Sequence, residues 1–542
     1  MIERFTQEQL NKEFDLIIIG GGINGCGIAR DASERGLKVL LLEKEDFASA
    51  TSSTNTRLQH GGLRYLEFLE FGLVRESLRE RELLLKNANY LVRPLPLYIP
   101  IYKGANRGYW KIKAGMILYD LLSFDKSLPS HKMLSKSEFA KFEPNINKKN
   151  LLGAAIYYDA QVTYPERLCL ANALMAKDYG AKVINHAEVV SFNLKDNKIS
   201  LVEFVDALTS KKYSARGKLI INSSGPWVDL LCRLTEKNIK RKIGGTKGSH
   251  IIVKKFDAGP KNAIYVSAKS DNRPFFIIPW QEEYYLIGTT DIHFEGDLNK
   301  LKISEDEITY LINEANKIFR NKKISRNDIV FSYVGVRPLP FVGDKNPAGI
   351  TRRHIIFDHE SEGISNFLSI IGGKLTTYRN LSEQAVDLAY KKLDCDFKST
   401  KTRKIPIRGN LNVSSSDFKQ TLFKSKDSDL SFEIVSHLVD LYGVNSVEVL
   451  RLFESDPNLG KLLSAKALDI SAQVDYAVKE EEAYTVSDVL LRRLSLGLNE
   501  GLGTDSVEAV GFKLKKMLGL TDEEVTKQIE NYFTNVVNLR KI

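Results

Sequence analysis

The stretch Asp15 to Gly27, Asp-Leu-Ile-Ile-Ile-Gly-Gly-Gly-Ile-Asn-Gly-Cys-Gly, constrains this chain more than any other. Leu16 to Ile19 is a short apolar run of the kind a parallel strand buried on both faces requires. Gly20, Gly22 and Gly25 follow with G-x-G-x-x-G spacing. The first permits a tight turn, the second lets backbone approach a pyrophosphate, and the third lets the next helix pack on the strand. Ile28 to Gly36 reads as that helix, with its N-terminal N–H groups and positive dipole end offered to phosphates. Lys38 to Leu42 is a second apolar strand. It ends at Glu43, about 20 residues past the glycines, where a carboxylate hydrogen-bonds a ribose hydroxyl. The ordered set predicts a dinucleotide site, but the motif alone does not say which dinucleotide.

A chain of 542 residues exceeds one core and predicts two or three domains. With 43% hydrophobic and 27% charged residues it is an ordinary globular composition. The polar stretch from Met1 to Glu13 does not read as a signal peptide, and no run of about 18 apolar residues predicts a membrane span. Ala114 to Phe124 is the most apolar segment, and it reads as core. Cys26, Cys169, Cys232 and Cys395 are scattered, which argues against a disulfide framework or a zinc site and for a reducing, cytoplasmic setting. Cys26 reads as packing in the nucleotide helix. The net charge of +10 fits an anionic substrate or an anionic membrane surface, or only a soluble lysine-rich exterior. The lysines are not striped with aromatics, so nucleic acid is not expected.

Further along, Ala48 to Thr56 is rich in Ser and Thr. It precedes Arg57-Leu58-Gln59-His60-Gly61-Gly62-Leu63-Arg64-Tyr65, a loop suited to run under a large cofactor into a substrate site. Leu66 to Asn89 reads as a long helix with Leu66, Leu69, Leu73 and Leu84 on its apolar face, and with Arg75, Glu76, Arg79, Glu80, Arg81 and Glu82 paired and solvated. Pro94, Pro96 and Pro100 end it, and Lys103 to Pro144 is irregular around a helix near Lys111 to Leu122. Tyr164 to Tyr179 is helical. Lys182 to Phe192 and Lys218 to Asn222 read as strands of the nucleotide domain, the second closed by Ser223-Ser224-Gly225-Pro226-Trp227. Ser249 to Val253, Phe275 to Pro279 and Tyr284 to Gly288 predict a sheet roofing the cofactor, followed by a helix over Ile303 to Phe319. Phe367 to Ile371, then Gly372-Gly373-Lys374-Leu375-Thr376-Thr377-Tyr378, repeat the opening logic of strand, glycine turn and helix. Phe397 to Asp417 reads as a linker, and the chain from Phe418 onward as a helical domain with Val486, Val489, Leu490 and Leu494 inside.

These stretches, in this order, resemble the FAD-dependent, membrane-associated glycerol-3-phosphate dehydrogenases. Residues 20–25, 50–53, 60–66, 224–227, 247–250, 288–291, 335–339 and 373–379 carry the likeness, and Asp488 to Arg493 carries a looser one. Arg57 stands where the family usually has lysine, and Gln59 where an apolar residue is common; both are expected near the flavin. The resemblance implies an α/β fold. It has a Rossmann-like FAD-binding domain of the glutathione-reductase and D-amino-acid-oxidase type, an antiparallel-sheet substrate domain and a C-terminal α-helical domain. The expected division is an oxidoreductase region over 1–395, with FAD-binding parts at roughly 1–65, 150–245 and 335–395 and substrate parts at 66–149 and 246–334. A linker follows at 396–417 and the helical domain at 418–542.

The implied reaction is oxidation of sn-glycerol 3-phosphate to dihydroxyacetone phosphate, with hydride passing to FAD and electrons to membrane quinone. The implied setting is cytoplasmic and peripheral to the membrane, with a homodimer as one arrangement. Such a reaction needs a phosphate clamp, for which Arg64, Arg337 and Arg352 match the family positions, because guanidinium meets phosphate in a bidentate fork. It also needs a base, for which His60 is favoured over His250; His250 is then expected to position substrate or flavin. Lys374 is expected to place positive charge beside flavin or substrate, and Tyr65 to touch substrate or pack. The expected cofactor contacts are Gly20, Gly22, Gly25, Glu43, Thr51, Ser52, His60, Gly61, Gly225, Trp227, Gly373, Lys374, Leu375 and Thr376; no metal is expected. Competing readings are an oxidase that passes electrons to oxygen and a flavin-binding sensor without catalysis. The short stretch from Pro338 to Leu368 favours the dehydrogenase, since the oxidases tend to carry an insertion there.

Overall fold

The computed structural model describes residues 4–343, 351–425 and 430–542. Its centre is a six-stranded sheet in the order Ile355–Asp358, Phe367–Ile371, Gly217–Asn222, Phe14–Ile19, Val39–Leu42, Lys182–Ile184. All neighbours are parallel except the Ile355–Asp358 edge. The fingerprint strand lies inside, with Leu16 paired to both Val39 and Leu219. Its side chains alternate between two cores. Leu16 and Ile18 join Val39, Leu41 and the helices Ile23–Glu34, Pro165–Asp178 and Tyr378–Leu393. Ile17 and Ile19 join Leu40, Leu42 and a three-stranded sheet over 187–215 on the other face. Burial on both faces is why these strands read as unbroken apolar runs.

The nucleotide helix starts at Ile23, five residues earlier than the sequence suggests, because Gly22 takes an extended conformation and serves as its N-cap. The single strand expected over Lys182 to Phe192 is two. Lys182–Ile184 closes the parallel sheet, His186 turns the chain at φ +54°, and Ala187–Lys195 enters the three-stranded sheet.

A large mixed sheet faces the nucleotide domain. It includes the expected strands Thr246–Lys254, Pro274–Trp280 and Tyr284–Gly288, with Ile329–Arg337 antiparallel to Thr246–Lys254. Among the strands the sequence reading missed are Val92–Tyr102 and Leu151–Val162, paired along their length. Pro94, Pro96 and Pro100 therefore lie inside a strand and do not end a helix. They share one parity, so their missing donors fall on one edge, and the next strand pairs there only at Leu97 and Tyr98. Leu151–Val162 belongs to this sheet, so residues 151–162 do not belong with the nucleotide-binding part.

Three further expectations are corrected. The long helix is a 3-10 turn, Leu63–Phe68, and a helix, Phe71–Asn87, divided where Leu69 takes φ +58° and faces solvent. Within it Glu80 and Arg81 are buried, each gripped by a distant partner, Arg379 and Asp159. The apolar segment Ala114 to Phe124 is core on one face only. The helix Tyr109–Leu122 buries Ile112, Met116 and Tyr119, yet Trp110 is 75%, Ile117 53%, Leu121 68% and Phe124 77% exposed. The stretch 397–417 is no free linker. Arg30 and Arg35 donate to the carbonyls of Ile405 and Lys398, Asn89 exchanges bonds with Asn410 and Leu411, and Ile407 and Leu411 are buried.

Helices from Ser415–Lys424 to Asp522–Tyr532 form the C-terminal unit, with Val486, Val489, Leu490 and Leu494 buried as expected. It packs into the same core as the mixed sheet. Two buried clamps fasten it: Arg167 to Glu481, and Arg492 and Arg493 to Asp46.

Candidate active site

Three glycine corners enclose a cavity of about 520 Å³. The first is the fingerprint turn. Gly20 sits at φ +109°, and a Cβ on Gly25 would come within 1.8 Å of the Gly20 carbonyl oxygen, so no other residue fits there. Gly22 opens the Ile23–Glu34 helix toward the cavity with its positive dipole end, and the Ile23 N–H donates to Ser52 Oγ at 2.9 Å. The second corner is Ser223 to Trp227, with Gly225 at φ +58° and Lys44 Nζ 4.0 Å from the centre of the Trp227 ring. The third is Gly372 and Gly373, both at positive φ, leading through Lys374 and Leu375 to the Tyr378–Leu393 helix. Asn24 joins the first corner to the third by donating to the Gly372 carbonyl at 3.4 Å.

Of the expected cofactor contacts, Gly20, Gly22, Glu43, Thr51, Ser52, Gly225, Trp227, Gly373, Lys374 and Leu375 line this cavity. Gly25, His60, Gly61 and Thr376 do not; Gly25 and Gly61 are packed beneath the turns they belong to. The Glu43 carboxylate already accepts from Gly21 N at 2.5 Å and Glu45 N at 2.9 Å. Burial pushes its carboxyl up to about 7 against those two donors. The sequence reading missed Asn24, Lys44 and Ser223. Asn24 Oδ1 and Ser223 Oγ are buried without a partner among the described residues, polar atoms left for a bound group.

A second cavity, of about 230 Å³, adjoins the first; Tyr65, Arg337 and Arg352 line both. His60, Arg64, Thr56, Thr289, Asp291 and Arg273 line the smaller one, opposite an apolar wall of Leu97, Tyr157, Tyr265 and Phe276. Asp291 is held between Arg337 at 3.0 Å and Arg352 at 3.2 Å. Burial raises its carboxyl, but the two guanidinium groups outweigh burial and hold it below the usual range. Arg352 Nη1 is buried and has no partner among the described residues. Arg273 was not expected; it donates to the Asp291 carbonyl and turns its charge toward Arg337. The only sequence signal for it is a basic residue just ahead of a roof strand.

The two histidines differ in place. His60 lines the small cavity, its backbone N–H donating to Thr376 Oγ1 at 3.3 Å. Burial pushes its imidazole down to about 4, opposed by Asp159 and reinforced by Lys374. His250 lines neither cavity. It lies behind Thr56, with Nε2 3.0 Å from Thr56 Oγ1 and its ring stacked on Tyr333, and burial followed by the charges of Arg337 and Arg57 holds it well below the usual imidazole range. Lys374 Nζ lies 3.1 Å from Ser77 Oγ and 4.0 Å from the centre of the Tyr65 ring. Burial lowers its ammonium to about 7, with Glu76 and Glu70 opposing. Arg57 and Gln59 do not reach the flavin position. Arg57 forks onto Glu166 at 2.8 and 3.2 Å, Gln59 is fully buried, and neither lines a cavity.

A glycine-cradled nucleotide cavity opening onto a cationic one defines an oxidoreductase that holds a dinucleotide against an anionic substrate. Residues 15–379 match the FAD dependent oxidoreductase family, and residues 400–525 match the C-terminal domain of alpha-glycerophosphate oxidase. The chain is 45% identical over 533 residues to a glycerol-3-phosphate dehydrogenase of Synechocystis sp., covering 96% of each chain. It is 34% identical to an aerobic glycerol-3-phosphate dehydrogenase of Staphylococcus saprophyticus, covering 91% of this chain and 88% of that one. The glycerol-3-phosphate dehydrogenase of Bacillus halodurans, solved with FAD, superposes with a TM-score of 0.81 at 29% identity, covering 98% of this chain and 95% of that chain. This chain belongs to the FAD-dependent glycerol-3-phosphate dehydrogenase and oxidase family, and FAD is its cofactor.

Proposed function

We propose that this protein oxidises sn-glycerol 3-phosphate to dihydroxyacetone phosphate and delivers the electrons to a membrane quinone. The observation that carries the reading is the arginine cluster where the two cavities meet. Arg337 and Arg352 are tied to a single carboxylate, Arg64 stands alongside with Arg273, itself paired to Asp271, and one Arg352 nitrogen has no partner among the described residues. That excess of positive charge suits a phosphate dianion. A cavity of about 230 Å³ suits a three-carbon chain, and the dianion at its mouth fixes the carbinol carbon against the flavin cavity.

When bound, FAD supplies the hydride acceptor. His60 is positioned to take the hydroxyl proton as hydride leaves. With its titration pushed down to about 4 it stays neutral at pH 7, so a lone pair is available in every turnover, although a more basic imidazole would drive the transfer harder. Thr56 carries His250 to the cavity wall, where the pair orients the alcohol. Lys374 holds positive charge next to Tyr65 and the flavin cavity, countering negative charge that builds during reduction.

Quinone as acceptor requires approach to a lipid surface. The exposed face of the Tyr109–Leu122 helix presents Trp110, Ile117 and Leu121, with Phe124 just beyond, and Phe68, Leu69 and Phe71 are exposed as well. Phe68 also lines the small cavity, so this apolar surface reaches the substrate mouth. Exposed Lys103 and Lys111 flank it. Apolar side chains rimmed by lysines suit shallow insertion into an anionic leaflet. No helix among the described residues is long and apolar enough to cross a membrane. We place the protein on the cytoplasmic face of the membrane, attached peripherally. The test is steady-state oxidation of glycerol 3-phosphate with a short-chain quinone, beside an oxygen electrode. Quinone reduction without peroxide is expected; stoichiometric hydrogen peroxide contradicts the quinone assignment.

A further inference from the structure

Below the His60 loop lies a buried polar network that the reaction scheme above does not use. The Gly61 N–H donates to Tyr119 Oη at 3.0 Å and, more weakly, to Asp159 Oδ1 at 3.4 Å. Tyr119 in turn donates to Asp159, 2.8 and 3.0 Å from its two oxygens. Arg81 Nη1 donates to Asp159 Oδ1 at 2.7 Å and to the Tyr158 carbonyl at 3.0 Å, while Nη2 reaches Glu82 at 2.8 Å. Arg81, Tyr119 and Asp159 come from three elements, Phe71–Asn87, Tyr109–Leu122 and Leu151–Val162, and all are buried.

The packing leaves the loop no slack. A Cβ on Gly61 would lie 2.5 Å from Tyr119 Oη and 2.6 Å from Leu78 Cδ2. One residue earlier, His60 N–H is fastened to Thr376 on the flavin side. The backbone beneath the imidazole is therefore bonded from both directions. Apolar side chains of similar volume could replace the Arg81–Asp159 ion pair itself at little cost in stability, since a buried ion pair rarely outperforms them. What they cannot supply is a directed bond to Gly61 N–H, and a negative charge close to His60.

We propose that Tyr119, Asp159 and Arg81 are positioning residues for His60: Tyr119 sets the height of the loop through Gly61, and Asp159, oriented by Arg81, supports the developing imidazolium. This rests on the reading of His60 as the base. Asp159 and Tyr119 lie on the Gly61 side with Arg81 bonded to Asp159, Lys374 acts from the flavin side, and Arg64, Tyr65, Glu70 and Tyr157 line the cavity that His60 shares. Of these, Asp159 favours the imidazolium and Lys374 opposes it. Loss of the Asp159 charge therefore makes His60 a weaker base, deprotonated to lower pH.

The experiment uses the full-length FAD-loaded protein and the variants Y119F, D159N, H60A and H60A/Y119F. FAD content and melting temperature are read alongside kcat, KM and the pH profile of kcat/KM with a dye acceptor. Y119F removes one oxygen atom. It is expected to keep its FAD, hold KM within about twofold, and lose kcat by on the order of tenfold, the scale of a small misplacement of a reacting group. D159N is expected to move the acid limb of kcat/KM down by about one pH unit and lower the plateau. H60A/Y119F is expected to be no slower than H60A, because both changes act through one side chain. If H60A loses most but not all of its turnover while Y119F keeps wild-type kcat, the proposal is overturned and the base assignment stands; if H60A keeps near-wild-type turnover, the base assignment itself is wrong. Should D159N fail to fold, Y119F and its double variant still decide.

Discussion

Arg352 gives one guanidinium nitrogen to Asp291 at 3.2 Å and keeps another, Nη1, buried without a partner among the described residues. A buried donor left unmade is costly, so the position makes sense only if an anion completes it. Charge-assisted bonds are worth about 1.5–3 kcal/mol each. Arg352→Met is therefore expected to raise KM for glycerol 3-phosphate by about 10–100-fold at constant FAD content. An unchanged KM would place the phosphate elsewhere.

Lys374 yields a prediction in pH. Its ammonium titrates near 7 when folded and in the ordinary lysine range when unfolded, chiefly through burial. A base with a depressed folded pKa contributes stability that is present above the unfolded value and is lost as pH falls through the folded one. Lys374→Met in FAD-free protein should therefore melt higher than wild type at pH 6. The gap should narrow as pH rises from about 7 to about 10. A gap constant over that range would show that the amine is not desolvated.

The clamp between the two domains gives a third. Asp46 follows Glu43 by three residues, in the loop that feeds the flavin cavity, and accepts from Arg492 and Arg493 at 2.5–2.9 Å with no solvent exposure. Breaking a buried pair by removing one partner costs about 3–5 kcal/mol. Arg493→Met should lower unfolding free energy by that amount in urea and weaken FAD retention in a fluorescence titration. Normal FAD affinity in the variant would separate the clamp from the cofactor site.

The exposed helix gives a fourth. Ile117 and Leu121 are exposed, apolar side chains, so I117E/L121E should alter stability by less than about 0.5 kcal/mol. It should abolish co-sedimentation with anionic vesicles and leave dye-linked turnover unchanged. Retained vesicle binding would move the attachment surface away from this face.

The nucleotide half of the fold was legible because each local signal agreed: apolar runs, glycine corners and helix starts all pointed to one topology. The strand Val92–Tyr102 was hidden, since three prolines argue against a strand unless their shared parity is set against a one-sided partner. The helix Tyr109–Leu122 spreads apolar residues around most of its circumference, so its sequence did not separate the buried face from the exposed one. Glu80 and Arg81 read as solvated because their partners, Arg379 and Asp159, lie 299 and 78 residues away. Of the site, Arg64, Arg337, Arg352, His60 and Lys374 were reached through motifs the family shares, and they do converge. Arg273 belongs to no motif, and only the fold brings it beside Asp291. His250 sits in a motif too, but the packing of Thr56 places it one side chain behind the cavity.

The central claim is that a phosphate dianion held by Arg337 and Arg352 presents its alcohol to the flavin. Anaerobic titration of the purified yellow protein with glycerol 3-phosphate, followed by visible absorbance, tests it most directly. The account predicts full bleaching of the oxidised flavin band by glycerol 3-phosphate, none by glycerol at the same concentration, and none by either in an R337A/R352A variant that still binds FAD. A band that persists in the wild-type protein, or one that glycerol bleaches equally well, would contradict it.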